Sequence, residues 1–137
     1  MSRTNDMGKE VQGILRAINA NMLPVTVMGT LQEMLVFRNE LEGALIQNGF
    51  EVKLFDLHDP ADDLTIDYKN EVLFVLGLES LDPMESRSFS LRTILDVEQH
   101  QGLRFILFCE KDSYLKHFAD YAAPFYQFCA PLKLPEL

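Results

Sequence analysis

Asn70-Glu-Val-Leu-Phe-Val-Leu-Gly-Leu-Glu-Ser80 is the most informative stretch of this chain. Its apolar run from Val72 to Gly77 lacks the alternation of a half-exposed strand, which predicts a strand buried on both faces. Strands of this kind form the centre of parallel sheets. Gly77, Glu79 and Ser80 come at its carboxyl end. Ligands of open α/β sheets bind beyond the carboxyl ends of the strands, so this edge is where chemistry is expected.

The sequence on either side of this strand predicts an α/β fold. Helical segments separate the strands, and connections of that length join parallel strands by right-handed crossovers. We therefore expect a three-layer, flavodoxin/receiver-like fold with a parallel five-stranded sheet of order 2-1-3-4-5 and an extra N-terminal helix. Residues 1–23 would carry the amphipathic helix, and residues 24–137 the α/β domain, which lacks the helix that would follow its fifth strand. The other four strands are predicted at 25–28, 50–57, 103–109 and 126–130.

The helix boundaries carry recognisable signals. Thr30 and Glu33 have the spacing of a capping box, and Asn48-Gly49 is typical of a helix end. Asp82-Pro83 predicts the start of a further helix, which should run to about Gln99. Residues 7–22 place apolar side chains at intervals of three and four, which predicts a helix that packs on the sheet or on a second copy.

Composition indicates a single domain of ordinary globular character. The chain has 137 residues, 47% of them hydrophobic, and a formal net charge of −9. That charge disfavours sequence-independent nucleic-acid binding and anionic membranes, and it allows a basic partner surface. No segment is long and apolar enough for a membrane span. Cys109 and Cys129 each lie in an apolar run and are expected to be buried, reduced thiols, which suits a cytoplasmic protein.

The sequence contains partial patterns of three kinds of reactive site, and each pattern is incomplete. The aspartate-rich segment 56–67 lacks the ligand spacing and glycine of a calcium loop, so no metal site is expected there. The turn at Gly29 lacks the second glycine, lysine and hydroxyl residue of a P-loop. The sequence has three histidines, His58, His100 and His117, but no G-x-S-x-G nucleophile elbow to pair with them. We accordingly predict no catalytic residue and no cofactor. Glu79, Ser80 and Glu110 remain the residues of a small-enzyme alternative.

The order of elements, together with Phe105-Ile-Leu-Phe-Cys109 and Phe128-Cys-Ala-Pro131, resembles a response-regulator receiver domain over residues 24–137. The resemblance is to a degenerate, non-phosphorylatable receiver, because Gly29 and Thr30 stand where the family has its magnesium-binding acids. Leu76 or Gly77 replaces the phosphorylated aspartate, and Ala130 replaces the lysine. The pattern Phe74-Val-Leu-Gly-Leu-Glu-Ser80 is most similar to the atypical N-terminal receivers of sigma-54-dependent flagellar regulators, which implies dimerisation and control of a neighbouring domain.

These observations leave two main functional hypotheses. The first is a non-catalytic regulatory or protein-interaction domain that acts in signal transduction or transcription regulation through dimerisation or partner docking. Its expected contact residues come from the last helix and strand and from the N-terminal helix: Tyr114, Phe118, Tyr121, Phe125, Tyr126, Ile14 and Ile18. The alternative is a degenerate P-loop ATPase-like accessory of replication or secretion, with Glu79 close to the position of a Walker B acid. An extra strand between the first and third strands would favour that alternative.

Overall fold

The predicted alternation of helices and strands is present in the structure, a computed structural model that describes residues 7–20, 25–59, 70–82, 86–113 and 130–136. Short 3-10 turns at Leu78–Ser80 and Lys111–Ser113 follow the third and fourth strands. The helices are α1 (Gly8–Asn19), α2 (Leu31–Gln47) and α3 (Ser86–His100); the strands are β1 (Val25–Gly29), β2 (Glu51–Asp56), β3 (Glu71–Leu76), β4 (Arg104–Glu110) and β5 (Ala130–Lys133).

The five strands form one parallel sheet, so the α/β fold class is confirmed. Along the sheet the strands lie in the order β2-β3-β4-β1-β5. Val27 of β1 is opposite Phe108 of β4 on one side and Leu132 of β5 on the other. The predicted order 2-1-3-4-5 had β1 between β2 and β3, and the structure corrects this placement, because β2 pairs directly with β3.

The hydrophobic pattern could not distinguish the two orders. β3 and β4 are buried along almost their whole length, and β1 is mainly buried, whereas β2 is partly exposed. Both orders place β1 inside the sheet and β2 at an edge, so both satisfy this pattern. The chain between β1 and β2 contains a whole helix, and a crossover of that length can pass over intervening strands.

The sheet separates two apolar cores, which makes the architecture three-layered. On one face α1 and α2 pack over the sheet, where Phe37 of α2 meets the core containing Val27 and Phe74. On the other face Leu91 and Leu95 of α3 pack in a second core. Successive residues of β3 alternate between the cores, as a pleated strand requires: Val72 and Phe74 in the first, Leu73 and Val75 in the second.

The N-terminal helix α1 belongs to the same packed unit as the sheet. Met7, Val11, Ile14 and Ile18 are buried in the core that α2 covers. Their spacing of three and four residues puts them on one face of the helix, as the sequence predicted. The sequence left open whether this helix packs on the sheet or on a second copy. In the structure it packs on the sheet of its own chain.

The local signals at α2 operate as predicted. The Glu33 N–H donates to Thr30 Oγ1 at 3.1 Å, and the Thr30 N–H donates to Glu33 Oε1 at 2.9 Å. This is a complete capping box, with two otherwise unpaired amide donors satisfied. At the other end of the helix, Gly49 has a φ of 87°, a left-handed conformation that glycine adopts without a Cβ clash.

The last strand differs from the prediction. A strand was expected over 126–130; β5 instead runs from Ala130 to Lys133, and residues 126–129 lie outside the described residues. Pro131 lies within it, which an edge strand permits because one side of its backbone has no ladder bonds to donate. The Leu134 N–H then donates to Met28 O at 2.8 Å and extends the contact with β1.

Candidate functional site

The carboxyl ends of the strands bring four chain segments to one edge of the sheet. β1 ends at Gly29, β2 at Asp56, β3 at Leu76 and β4 at Glu110. Because all strands are parallel, the residues that follow them gather at this edge. It contains two distinct arrangements: the turn between β1 and α2, and a group of charged side chains beyond β2 and β3.

The turn between β1 and α2 is filled by the protein's own atoms. A Cβ on Gly29 would lie 3.0 Å from Glu33 Oε1 and 3.2 Å from Leu134 Cδ1. Glu33 and Leu134 are both buried. The N-terminus of a helix attracts anions, and here the Glu33 carboxylate already occupies that position. A phosphate at this turn would meet a carboxylate and a leucine instead of open amide donors.

Beyond β2 and β3, His58 lies between two carboxylates. Its Nδ1 is 3.0 Å from Asp56 Oδ1, and its Nε2 is 3.0 Å from Glu79 Oε2. The backbone N–H of His58 also donates to Asp56 Oδ1, at 2.9 Å. Carboxylate oxygens only accept, so the ring donates to both of them in its doubly protonated form.

A left-handed residue makes room for this imidazole. Gly77 has a φ of 81°, and a Cβ there would lie 2.6 Å from His58 Nδ1 and 3.0 Å from Asp56 Oδ1. Only glycine allows the ring to approach the backbone so closely. Gly77, which joins β3 to the Leu78–Ser80 turn, therefore makes room for the His58 ring and starts the turn that carries Glu79.

The electrostatics of this group follow from the contacts. The His58 amide, the largest cause, and the His58 ring lower the pKa of Asp56 below its ordinary value, and Arg38 acts in the same direction. Glu79 is mostly buried, and its Oε1 has no hydrogen-bond partner among the described residues. The His58 ring therefore contacts, through its Nε2, a carboxylate that water reaches poorly.

The nucleophile candidates at this edge are engaged or buried. The Ser80 hydroxyl donates to Gly77 O at 2.7 Å, and Leu57 O lies 3.3 Å from it. The Cys109 thiol is buried, and burial, with Glu79 and Glu110 nearby, raises its pKa to about 12. The thiolate is the reactive form of cysteine, so Cys109 is an inert core residue, as the sequence predicted. Glu110 accepts the Asp112 N–H at 3.1 Å.

A cleft opens next to the charged group. Its volume is about 250 Å³, and it lies between the N-terminal half of α2 and the ends of β2 and β3. Leu31 and Leu35 of α2 line it and are 61% and 49% exposed. The remaining lining residues are Met34, Arg38, Asp56, His58, Leu76, Gly77, Glu79 and Phe108.

The predicted interaction residues are not brought together in the described part of the chain. Ile14 is only 2% exposed and Ile18 is also buried, so both contribute to the core instead of to an accessible surface. Tyr114, Phe118, Tyr121, Phe125 and Tyr126 lie outside the described residues. Glu79 and Glu110 both lie near enough to the Cys109 thiol to help raise its pKa.

Two features of the site were missed by sequence reasoning. The pair Asp56 and His58, two residues apart at a strand end, was a detectable signal for a local contact. Glu79 could join it only if β2 neighbours β3, which the predicted strand order excluded. Leu31 and Leu35, which are exposed at the cleft, were also absent from the predicted interaction residues.

Neither a family model nor a curated protein matches the sequence. Among the described residues, no group of histidine, cysteine and acidic side chains has the arrangement of a metal site. The helices that the structure describes include none with the length and apolarity needed to cross a membrane.

Proposed function

We propose that this chain is a non-catalytic protein-interaction domain that acts by docking to a partner. The observation that carries the proposal is the contrast at the carboxyl edge of the sheet. Three of the polar residues there, Glu33, His58 and Ser80, are bonded to their own chain, whereas two leucines beside them are exposed. Internally paired polar groups have little capacity for bond-making, and exposed apolar side chains gain from being covered.

The resemblance to degenerate receivers supports the regulatory form of this proposal. Phosphorylation of a receiver needs a carboxylate acceptor and a cation, and Leu76 or Gly77 stands at the position of that acceptor. Incubation with acetyl phosphate and Mg²⁺ is expected to leave the intact mass unchanged. A stable phospho-adduct would contradict the non-catalytic reading of the site.

A second candidate is favoured by the strand order. β4 lies between β1 and β3, which is the inserted strand expected of a degenerate P-loop ATPase-like accessory. Glu79 follows β3, near the position of a Walker B acid. Against nucleotide binding stands Glu33, which already occupies the N-terminus of α2. Titration calorimetry with ATP and Mg²⁺ separates the two candidates: no heat of binding agrees with docking, and saturable binding favours the ATPase-like accessory.

The docking proposal is tested by capture of a partner with the purified chain, followed by light scattering of the isolated complex. We expect a complex of fixed stoichiometry that withstands gel filtration. The matched variant is Leu31→Ser with Leu35→Ser, which changes the exposed leucines and leaves the cores intact. If the chain is monomeric, captures nothing and binds ATP, the docking function is wrong.

A further inference from the structure

The sheet is incompletely covered beside its edge strand β2. Val52 packs against the core under α2, and Leu54, two residues further along the strand, points to the same face. Leu54 is nevertheless 44% exposed, whereas Phe74, opposite it on β3, is fully buried. The cover that α2 provides on this face therefore ends between β3 and β2.

The adjoining side of α2 is apolar as well. Leu31 and Leu35 are one turn apart, so they lie on one stripe of the helix together with Arg38 and Glu42. Both leucines are exposed and line the cleft, whose opposite wall includes Asp56 and Leu76. Helix side and strand side thus form one groove, which we call the α2–β2 groove: Leu31, Leu35, Arg38, Leu54 and Asp56.

We propose that the α2–β2 groove binds an amphipathic helix of a partner protein, with its apolar side chains in the cleft and basic residues on its flanks. This inference rests on the proposed docking function. A helix is the element that covers a sheet face in this architecture, whereas a strand added to the edge of β2 would leave Leu31 and Leu35 exposed. The cleft, at about 250 Å³, is large enough for a bulky apolar side chain.

The charge of the partner segment follows from the charge of this chain. The formal charge of −9 gives long-range attraction to a basic segment and repels a second copy. Around the groove, Asp56, Glu79 and Glu42 outnumber Arg38 and His58. Lysine or arginine on the flanks of the partner helix would meet these carboxylates at the rim.

The binding test uses a designed peptide as the probe. The peptide is about as long as α2, with leucines at intervals of three and four residues and lysines elsewhere, and carries a fluorescent label. Anisotropy titration should show saturable binding at about 0.05 M salt and weaker binding at about 0.3 M. A scrambled peptide of identical composition has no apolar face and should bind at least about tenfold more weakly. Equal binding of the two peptides would overturn the proposal.

Matched variants locate the site. Leu35→Ser should weaken binding about tenfold, as expected for loss of a central apolar contact. Val97→Ser is the control, because Val97 is exposed on α3, the helix of the opposite face. Both variants keep the net charge, and circular dichroism verifies that both remain folded. If Val97→Ser weakens binding as much as Leu35→Ser does, the groove is not the site.

Partner capture distinguishes failure of this inference from failure of the docking function. Loss of the captured partner with Leu31→Ser and Leu35→Ser, but not with Val97→Ser, supports the groove. Retention of the partner by the double leucine variant and its loss with Val97→Ser would leave the docking function standing and overturn the groove.

Discussion

Gly77 is the residue whose side-chain-free backbone holds the charged group together. Gly77→Ala introduces a left-handed alanine whose Cβ would meet His58 Nδ1 at 2.6 Å. We expect the free energy of unfolding in urea to fall by roughly 1–3 kcal/mol. Gly43→Ala is the matched control. A Cβ there has open space within a helix, so the substitution should stabilise by about 0.5–1 kcal/mol. Equal effects of the two substitutions would contradict this account of Gly77.

The pairing of Asp56 gives a pH dependence of defined sign. Its pKa is lowered in the folded state from an ordinary value of 3.8, so the folded protein holds this proton less tightly than the unfolded chain does. The resulting stabilisation is present above the ordinary value and is lost as pH falls through the folded pKa. Asp56→Asn should therefore lower the urea midpoint at about pH 6, and the difference from the unaltered protein should shrink below about pH 4. A difference that is constant over this range would contradict the assignment.

Cys109 should be chemically silent while the protein is folded. Burial and the neighbouring acids Glu79 and Glu110 raise the pKa of its thiol to about 12, which leaves almost no thiolate at neutral pH. In a Cys129→Ser background, labelling by a thiol reagent at about pH 8 should be slow in buffer and fast in denaturing urea. Rapid labelling of the folded protein would show that the thiol is accessible.

At the scale of elements, α2 begins where the sequence says it should, and for the predicted reason. Thr30→Ala removes the oxygen that accepts the Glu33 amide, and it should cost about 1 kcal/mol of unfolding free energy. Thr30→Ser keeps that acceptor and should restore most of the loss. Thr93→Ala is the control, because this threonine is exposed within α3 and its hydroxyl donates to Phe89 O in the preceding turn. If Thr30→Ser were as unstable as Thr30→Ala, the cap would not be the cause.

The helix α1 should behave as a core element. Ile14 is 2% exposed, so Ile14→Ala leaves a cavity and should cost about 2–4 kcal/mol. Ile46→Ala makes the same chemical change at a position that is 57% exposed, and its cost should be small. Urea denaturation of both variants measures the contrast. Similar costs for the two would mean that α1 is not packed against α2.

The sequence determines where individual helices and strands form better than it determines which strands lie next to each other. A capping box is a local signal four residues long, and Thr30 and Glu33 alone suffice to predict it. The apolar runs of β3 and β4 likewise identify buried strands. Which strands are adjacent depends on packing between distant segments, and the burial pattern is the same for both orders. The contact between His58 and Glu79 was unpredictable for this reason, since it exists only because β2 pairs with β3.

At the scale of the whole molecule, the charge of −9 acts on folding and on partner binding with opposite signs. Self-repulsion among the acids destabilises the compact state, and salt screens that repulsion. Raising NaCl from about 0.05 M to about 0.5 M should therefore raise the urea midpoint of the free chain. The same salt should weaken its binding to a lysine-rich helix, because there the charges attract.

A variant with fewer acids makes this argument specific. Glu40 is exposed on α2, and Glu98 lies on α3; changing both to glutamine brings the formal charge from −9 to −7. The rise of the urea midpoint with NaCl should then be smaller, since less repulsion remains to be screened. Salt would have to act through a bound ion, and not through screening, if the rise were the same in this variant. In that case the rise of the urea midpoint would be insensitive to substitution of acids far from the bound ion, and its size would depend on which salt is used.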